Sequence, residues 1–160
     1  MQRITIDMNE MLADRTAHQL TWCERDLQPG PGFAELHGTH LSRVVPDLHR
    51  ARIHEHTSDP TFFRDTPLMS GAVQSVVALS ERYEIFVASA VMEHPVSCNA
   101  RFECLREHWQ TIPPVHCIFC GDKSVIGTDY LIADSGNTLK TARTAIEERI
   151  RFSPLPRCIQ

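Results

Sequence analysis

Residues 84–91 read EIFVASAV, an apolar run with none of the polar alternation of a half-exposed strand. A continuous apolar run of this length is typical of a strand that is buried on both faces of a sheet. Strands of that kind occur in parallel sheets, because helices cover both faces of such a sheet. The stretch therefore predicts a central strand of an α/β fold.

Helix-like and strand-like segments alternate on both sides of this run. Residues 72–83 (AVQSVVALSERY) predict a helix whose apolar face holds Ala72, Val73, Val76 and Val77. Further strands are predicted at 3–8, 113–120 and 129–133, and an edge strand at 149–153. Further helices are predicted at 9–26, 97–109 and 137–148. The last of these helices would place Leu139, Ala142 and Ile146 inward. Strands that alternate with helices indicate a parallel sheet of the α/β class.

The connection between the first two strands is much longer than the others, running from about residue 15 to 68. It is too long for a single helix that returns to the sheet, and it predicts a small helical cap over one edge. Within it, residues 39–56 predict a helix in two pieces around Pro46. The predicted organisation is a core of residues 1–14 and 69–160, interrupted by a cap of residues 15–68.

The composition excludes several classes of protein. The 160 residues, 42% hydrophobic and 22% charged, are typical of one globular domain. The net charge of -4 argues against a surface for nucleic acid polymers, which carries a basic excess. No apolar run approaches the roughly 18 residues of a membrane helix, and MQRITIDM lacks the organisation of a signal peptide. These features predict a cytoplasmic protein that does not bind membranes.

The six cysteines are irregularly spaced, and in a reducing compartment they predict no disulfide framework. Cys117 and Cys120 form a CxxC pair next to His116. Because residues three apart in a strand point to opposite faces, the pair favours core packing over zinc binding.

Five of the nine histidines lie between His37 and His56. His49, His54 and His56 could chelate a metal adventitiously. However, no cysteine or carboxylate set stands at ligand spacing around them, so a dedicated metal site is the weaker interpretation.

Polar residues follow the carboxyl ends of four predicted strands. In an open parallel sheet this edge is where ligands bind. The strands end, in chain order, at Asp7-Met8-Asn9, at Ser89-Ala90, at Asp122-Lys123 and at Asp134. Two or more carboxylates, a hydroxyl and an ammonium group are therefore expected at one edge of the sheet.

This set of groups fits phosphoryl transfer. A carboxylate can attack phosphorus to form an aspartyl-phosphate. Carboxylates with a backbone carbonyl suit Mg²⁺, and lysine and hydroxyl groups can hold phosphoryl oxygens. Singly, Asp7 and Asp134 could cap helices and Asp122 and Lys123 could be ordinary loop charges, but their combination at strand ends favours a site. The sequence contains no Walker A loop, no GxGxxG that opens a helix and no GxSxG elbow.

On the basis of these residues, the chain resembles the 5'(3')-deoxyribonucleotidases of the haloacid dehalogenase (HAD) superfamily, especially the small bacterial members. The resemblance rests on ITIDMNEMLAD (4–14), on residues 62–97, and on VHCIFCGDKSVIGTDYLIADS (115–135), whereas residues 27–60 match only loosely. It implies a HAD-like Rossmannoid parallel sheet flanked by helices, with a small helical cap inserted after strand 1.

The resemblance also implies roles for individual residues. Asp7 would be the nucleophile and a Mg²⁺ ligand, with the backbone carbonyl of Asn9 and the carboxylate of Asp134 as further ligands. The phosphate would be bound by Ser89, Ala90 and Lys123, and Lys123 would also orient Asp7. Phe62 and Phe63, in a connector between cap and core, would shield or stack the nucleobase, or else serve only as hinge and core packing.

Two positions depart from the family pattern. Where the family has a second catalytic Asp, which protonates the leaving nucleoside and then activates water, this chain has Asn9. An amide does neither, and losing general acid–base help costs about 10² to 10⁴ in rate. Where the family has two acids after YLI, this chain has Ala133 followed by Asp134, so one carboxylate that supports the metal is absent.

The sequence thus predicts a Mg²⁺-dependent phosphatase-like protein that acts on (deoxy)nucleoside monophosphates through Asp7, with hydrolysis impaired by Asn9. The alternative is a catalytically silent HAD-fold protein that binds a nucleotide, phosphate or a protein partner. A phosphotransferase or dehalogenase-like activity has no positive support in the sequence. A homodimer is expected from frequency alone.

Overall fold

The computed structural model describes residues 1–27, 36, 41–134 and 148–151. Five parallel strands form one sheet in the spatial order β3-β2-β1-β4-β5. The strands are β1 (Arg3–Asp7), β2 (Glu84–Ala90), β3 (Cys117–Cys120), β4 (Tyr130–Ala133) and β5 (Glu148–Arg151). The predicted α/β class with a parallel sheet is confirmed, and the apolar run at 84–91 does supply one of its inner strands.

The middle of the sheet is buried on both faces because β-branched and small residues occupy it. In β1, Ile4 and Ile6 belong to the main hydrophobic core, while Thr5 on the opposite face is also buried. In β2, Val87 and Ala88 have no exposed surface. β1 pairs with β2 so that Asp7 lies opposite Ala88, which brings the carboxyl ends of both strands to the same level.

Helices connect the strands. They are α1 (Arg15–Asp26), α2 (Leu41–Val44), α3 (Asp47–Ser58), α4 (Pro60–Arg64), α5 (Ala72–Ser80) and α6 (Cys98–His108). The first five lie between β1 and β2, and Pro46 separates α2 from α3, as the sequence predicts. The division into a core of residues 1–14 and 69–160 and a cap of residues 15–68 stays a prediction. Within the described ranges, no helix is long and apolar enough to cross a membrane.

The first helix begins six residues later than the predicted segment 9–26. Glu10 has a left-handed backbone (φ 60°), and its N–H donates to the carbonyl of Ala13 at 2.8 Å. Asp14 then caps α1 by accepting a hydrogen bond from the N–H of Ala17 at 3.0 Å. Asp14, and not Asp7, is therefore the capping residue, and residues 8–14 form a loop at the edge of the sheet.

Two further predictions need correction. Val77 does not lie on the buried face of α5: it is 46% exposed, whereas Ala72 and Val76 are buried. The reason is that Val77 is turned by about 100° from Val76 around the helix axis. The strand predicted at 113–120 begins only at Cys117, because its proline-containing start forms a 3₁₀ turn.

Some predictions lie outside the described residues. These are the inward positions Leu139, Ala142 and Ile146 of the helix predicted at 137–148, Cys158, and the last two residues of the strand predicted at 149–153.

A second, smaller hydrophobic cluster joins the helices that precede β2 to α6. It consists of Phe62 and Phe63 from α4 and Ala100 from α6, with Trp22 of α1 packed against it. This cluster places the start of α6 close to the carboxyl edge of the sheet.

Candidate functional site

The carboxyl edge of the sheet brings Asp7 and Lys123 into direct contact. Asp7 is the last residue of β1, and Lys123 opens the turn that follows β3, two strands away. The Lys123 ammonium donates a hydrogen bond to Oδ2 of Asp7, although 116 residues separate the two in the chain. Both side chains are largely buried, at 10% and 5% exposure. The ion pair therefore lies in a low-dielectric part of the molecule.

Burial raises the pKa of Asp7, and the Lys123 ammonium is the main opposing influence. The backbone N–H of Asn9 also hydrogen-bonds to this carboxylate and lowers its pKa, while the charge of Asp134 raises it. Asp7 is thus a desolvated carboxylate held by one cation. That is the environment in which a carboxylate can act as a nucleophile.

Asp134 follows β4, on the other side of β1 from Lys123. Its charge raises the pKa of Asp7 and also that of Glu10. Burial is the main reason why the pKa of Glu10 rises to about 7, and the Thr16 hydroxyl opposes the rise by donating to Oε1 at 2.9 Å. Asp134 therefore repels both Asp7 and Glu10 at this edge.

A divalent cation fits the donor set at this edge. Mg²⁺ is usually held by one or two carboxylates, with waters and substrate phosphates completing its shell. Asp7 and Asp134 supply two carboxylates whose repulsion a cation would relieve, while a role for the backbone carbonyl of Asn9 stays a prediction. Among the described residues, this edge included, no cluster of three or more His, Cys, Asp or Glu side chains is arranged to hold a metal. Ala133 is fully buried and offers no ligand.

Ser89, on β2, is hydrogen-bonded to Arg101, a residue that the sequence motifs do not predict. Arg101 lies on α6 and is 1% exposed. Its Nη1 donates to Oγ of Ser89 at 2.7 Å and to Oδ1 of Asn9 at 2.8 Å, and its Nε donates to Oγ of Ser97 at 2.9 Å. Burial lowers the pKa of Arg101 only to about 10, so the side chain remains a cation at neutral pH.

A second missed arginine, Arg15, lies at the start of α1. Burial lowers its pKa, and Glu10, Glu93 and Asp134 are the acids close enough to oppose that. Its Nε is buried and has no hydrogen-bond partner among the residues that the structure describes. Arg15 is also close enough to Arg101 to lower the pKa of that guanidinium. The edge therefore concentrates cations as well as acids.

Two other predicted site residues are Ala90 and Asp122. Ala90 ends β2 and is half-buried. Asp122 caps the 3₁₀ turn that carries Lys123, because its Oδ1 accepts from the N–H of Ser124 at 2.8 Å. Asp122 thus helps to fix the turn from which Lys123 reaches Asp7.

Phe62 and Phe63 are 0% and 4% exposed, which supports the packing alternative for both rings. Phe62 packs edge-on against Trp22, with ring centroids 5.3 Å apart. The guanidinium carbon of Arg101 lies 4.0 Å from the centroid of the Phe63 ring. A role in binding the nucleobase stays a prediction.

Comparison with known proteins points to one family. The family model described as "5' nucleotidase, deoxy (Pyrimidine), cytosolic type C protein" matches residues 1–153. A putative 5'(3')-deoxyribonucleotidase from Staphylococcus epidermidis is 34% identical over 139 residues, which is 87% of this chain and 77% of the relative. A 5'(3')-deoxyribonucleotidase from Bacillus subtilis is 25% identical over 138 residues, covering 86% and 78%.

A solved structure shares the fold. It is a haloacid dehalogenase-like family hydrolase from Streptococcus pneumoniae, with a TM-score of 0.50 and 11% sequence identity. The match covers 94% of this chain and 84% of the other.

Proposed function

Because this chain belongs to the family of cytosolic type C deoxy (pyrimidine) 5'-nucleotidases and has a HAD-like fold, we propose that it accepts the phosphoryl group of a (deoxy)nucleoside monophosphate on Asp7 in a Mg²⁺-dependent reaction. We propose also that its turnover is slow because Asn9 stands in place of an acid. The observation that carries this proposal is the buried contact of Lys123 with Asp7, beside Asp134.

In the first step, a carboxylate oxygen of Asp7 forms a bond to phosphorus and the bond from phosphorus to the nucleoside oxygen breaks. Lys123 opposes the rise that burial causes in the pKa of Asp7 and would contact a phosphoryl oxygen, and Ser89 and Ala90 would bind other phosphoryl oxygens. Mg²⁺, held by Asp7, Asp134 and the Asn9 carbonyl, would neutralise charge on the phosphoryl group. In the second step, water attacks phosphorus and releases Asp7 and phosphate.

Asn9 limits both steps in this proposal. The departing nucleoside oxygen needs a proton, and the attacking water must lose one, but an amide neither gives nor takes a proton at neutral pH. Each of these transfers would then fall to solvent. The expected cost is about 10² to 10⁴ in rate for a step that loses its acid or base.

The second candidate function is ligand binding without turnover. One observation favours it: Arg101 donates a hydrogen bond to Oδ1 of Asn9. The amide is therefore part of the hydrogen-bond network at the edge of the sheet. In both candidates the ligand is a free nucleotide or phosphate in the cytoplasm and not a nucleic acid polymer. A homodimer remains an expectation from frequency.

The test is phosphate release from dUMP and dTMP with Mg²⁺, comparing the unaltered chain with Asn9→Asp and Asp7→Asn. The proposal predicts slow release by the unaltered chain, an increase of about 10²-fold or more in Asn9→Asp, and no release from Asp7→Asn. Fast release by the unaltered chain would show that another group supplies the proton. If neither the unaltered chain nor Asn9→Asp releases phosphate, the binding function takes precedence.

A further inference from the structure

Arg101 fixes the direction of two hydrogen-bonding groups at the edge of the sheet. We propose that Arg101 is a positioning residue that turns the Asn9 amide and the Ser89 hydroxyl into donors toward the phosphoryl group, so that Asn9 binds phosphate. This inference rests on the proposed function for the location of the phosphate. It gives the amide a role of its own in ligand binding.

The argument for Asn9 starts from the guanidinium, which has only donors and cannot accept a hydrogen bond. The atom of Asn9 that faces Nη1 of Arg101 at 2.8 Å must therefore be the amide oxygen. The amide nitrogen, on the other branch of the planar group, is then directed away from Arg101. The backbone N–H of Asn9 meanwhile hydrogen-bonds to the Asp7 carboxylate, so both donors of Asn9 belong to the same edge.

The same reasoning applies to Ser89. Its Oγ accepts from Nη1 of Arg101 at 2.7 Å, and this leaves the hydroxyl hydrogen to be donated to another acceptor. The Ser89 side chain has no exposed surface, so that acceptor must be a buried group of the protein or a bound ligand. Because one guanidinium nitrogen contacts both Asn9 and Ser89, the two donors are fixed relative to each other.

Arg101 is itself held in place from several sides. Ser97 accepts from Nε at 2.9 Å, and the Phe63 ring lies against the guanidinium carbon. Ser97 in turn donates to the carbonyl of His94 at 2.6 Å. A side chain held in this way can orient its partners with little loss of entropy when a ligand binds.

The hydrogen bonds of this network favour an anionic ligand. Over the described ranges, every hydrogen-bond partner of Arg101 is neutral: Ser97, Asn9 and Ser89. Asp7 and Glu93 are close enough to favour the charge of Arg101, but neither hydrogen-bonds to it, and Arg15 adds a second positive charge nearby. An acceptor-only anion, such as the phosphate dianion, would neutralise both and accept from the donors that Arg101 presents.

The inference predicts that Asn9→Asp has two different effects, one on turnover and one on phosphate binding. A carboxylate at this position can restore acid–base chemistry, but it replaces a donor with an acceptor next to a dianion. Asn9→Asp should therefore speed turnover of dUMP and at the same time weaken the binding of phosphate. A purely structural role for Asn9 would leave phosphate binding unchanged.

The experiment is calorimetric titration of inorganic phosphate with Mg²⁺ present, which needs no turnover. Asn9→Asp and Asn9→Ala should each weaken phosphate binding by about 10-fold or more, as expected for loss of a hydrogen bond to a charged group. Arg101→Gln should weaken phosphate binding by about 10- to 100-fold in the unaltered chain. In the Asn9→Ala variant, the same Arg101→Gln change should weaken phosphate binding by a several-fold smaller factor. Arg64→Gln, which removes a surface arginine paired with Glu107, should have no effect.

Unchanged phosphate affinity in Asn9→Asp would overturn the inference, and this holds even if Arg101→Gln fails to fold. An Arg101→Gln effect of the same factor in both backgrounds would also overturn it, since Arg101 would then act independently of Asn9. If the binding pattern is as predicted while no variant hydrolyses dUMP, the proposed turnover fails and the inference about phosphate binding stands.

Discussion

Two buried polar networks among the described residues differ in how their charges are balanced. One joins α1 to α3: His56 is 2% exposed, its Nδ1 lies 2.9 Å from Nε2 of Gln19, and its Nε2 lies 2.8 Å from Oδ2 of Asp26. The other is at the sheet edge, where Arg101 donates to Asn9 and Ser89.

The network between α1 and α3 balances its charges with its own residues. Both ring nitrogens of His56 have partners, and the Asp26 carboxylate also contacts Arg25 at 2.7 Å and Arg52 at 3.1 Å. At the sheet edge, the buried guanidinium of Arg101 is bonded to neutral groups and keeps donors directed elsewhere. This difference is the basis on which we assign a structural role to the first network and propose ligand binding for the second.

The largest expected effect is at Lys123, in the Asn9→Asp background where turnover is measurable. Lys123→Met should lower the rate of phosphate release from dUMP by about 10² to 10³, because one ammonium holds both Asp7 and a phosphoryl oxygen. Arg52→Met, which removes a cation beside Asp26, is the matched control and should leave the rate unchanged. A loss below about 10-fold for Lys123→Met would remove the functional distinction between the two networks.

A smaller effect, on stability alone, is expected at His56. His56→Leu leaves the buried Gln19 amide without its partner and should lower the free energy of unfolding by about 2 kcal/mol in urea denaturation. The double variant with Gln19→Leu should recover part of this loss, because neither polar group is then left unpaired. The affinity of the folded protein for phosphate should stay the same, and a parallel loss of affinity would show that the networks are coupled.

The smallest effect concerns pH. Burial beside Trp22 and Phe62 lowers the pKa of His18, and Asp65 only partly opposes this. The unfolded chain therefore takes up a proton on His18 at a higher pH than the folded chain does, so stability is lost as the pH falls below about 6.5.

His18→Phe should flatten this dependence, measured as the change in melting temperature between about pH 7.5 and pH 5.5. Equal slopes for the variant and the unaltered chain would mean that other groups control the acid sensitivity of this region.

The sequence was sufficient for the parts of the site that depend on the ends of strands. Four residues of the candidate site lie at or just after the end of an apolar run: Asp7, Ser89, Lys123 and Asp134. A parallel sheet brings the carboxyl ends of its strands to one edge, however the helices pack. The beginning of α1 was harder to predict, because it depends on the left-handed backbone of Glu10 and on capping by Asp14.

Arg101 and His56 depend on how helices pack, and no local pattern encodes that. Arg101 contacts Asn9 across 92 residues of chain, and His56 contacts Gln19 across 37. One signal was present for Arg101: it falls on the same helical face as Ala100, Cys104 and Leu105, all of which are buried. A single arginine on an apolar face is a reason to expect a buried partner or a ligand.

The most direct test of the account uses para-nitrophenyl phosphate, whose leaving group departs without protonation. With Mg²⁺, the first step should then proceed while attack of water on the aspartyl-phosphate waits for a base. The account predicts a rapid burst of about one nitrophenolate per chain, then slow release, and no burst in Asp7→Asn. A linear time course in the unaltered chain, or a burst that survives Asp7→Asn, would contradict the assignment of Asp7 as the nucleophile and of Asn9 as the cause of slow turnover.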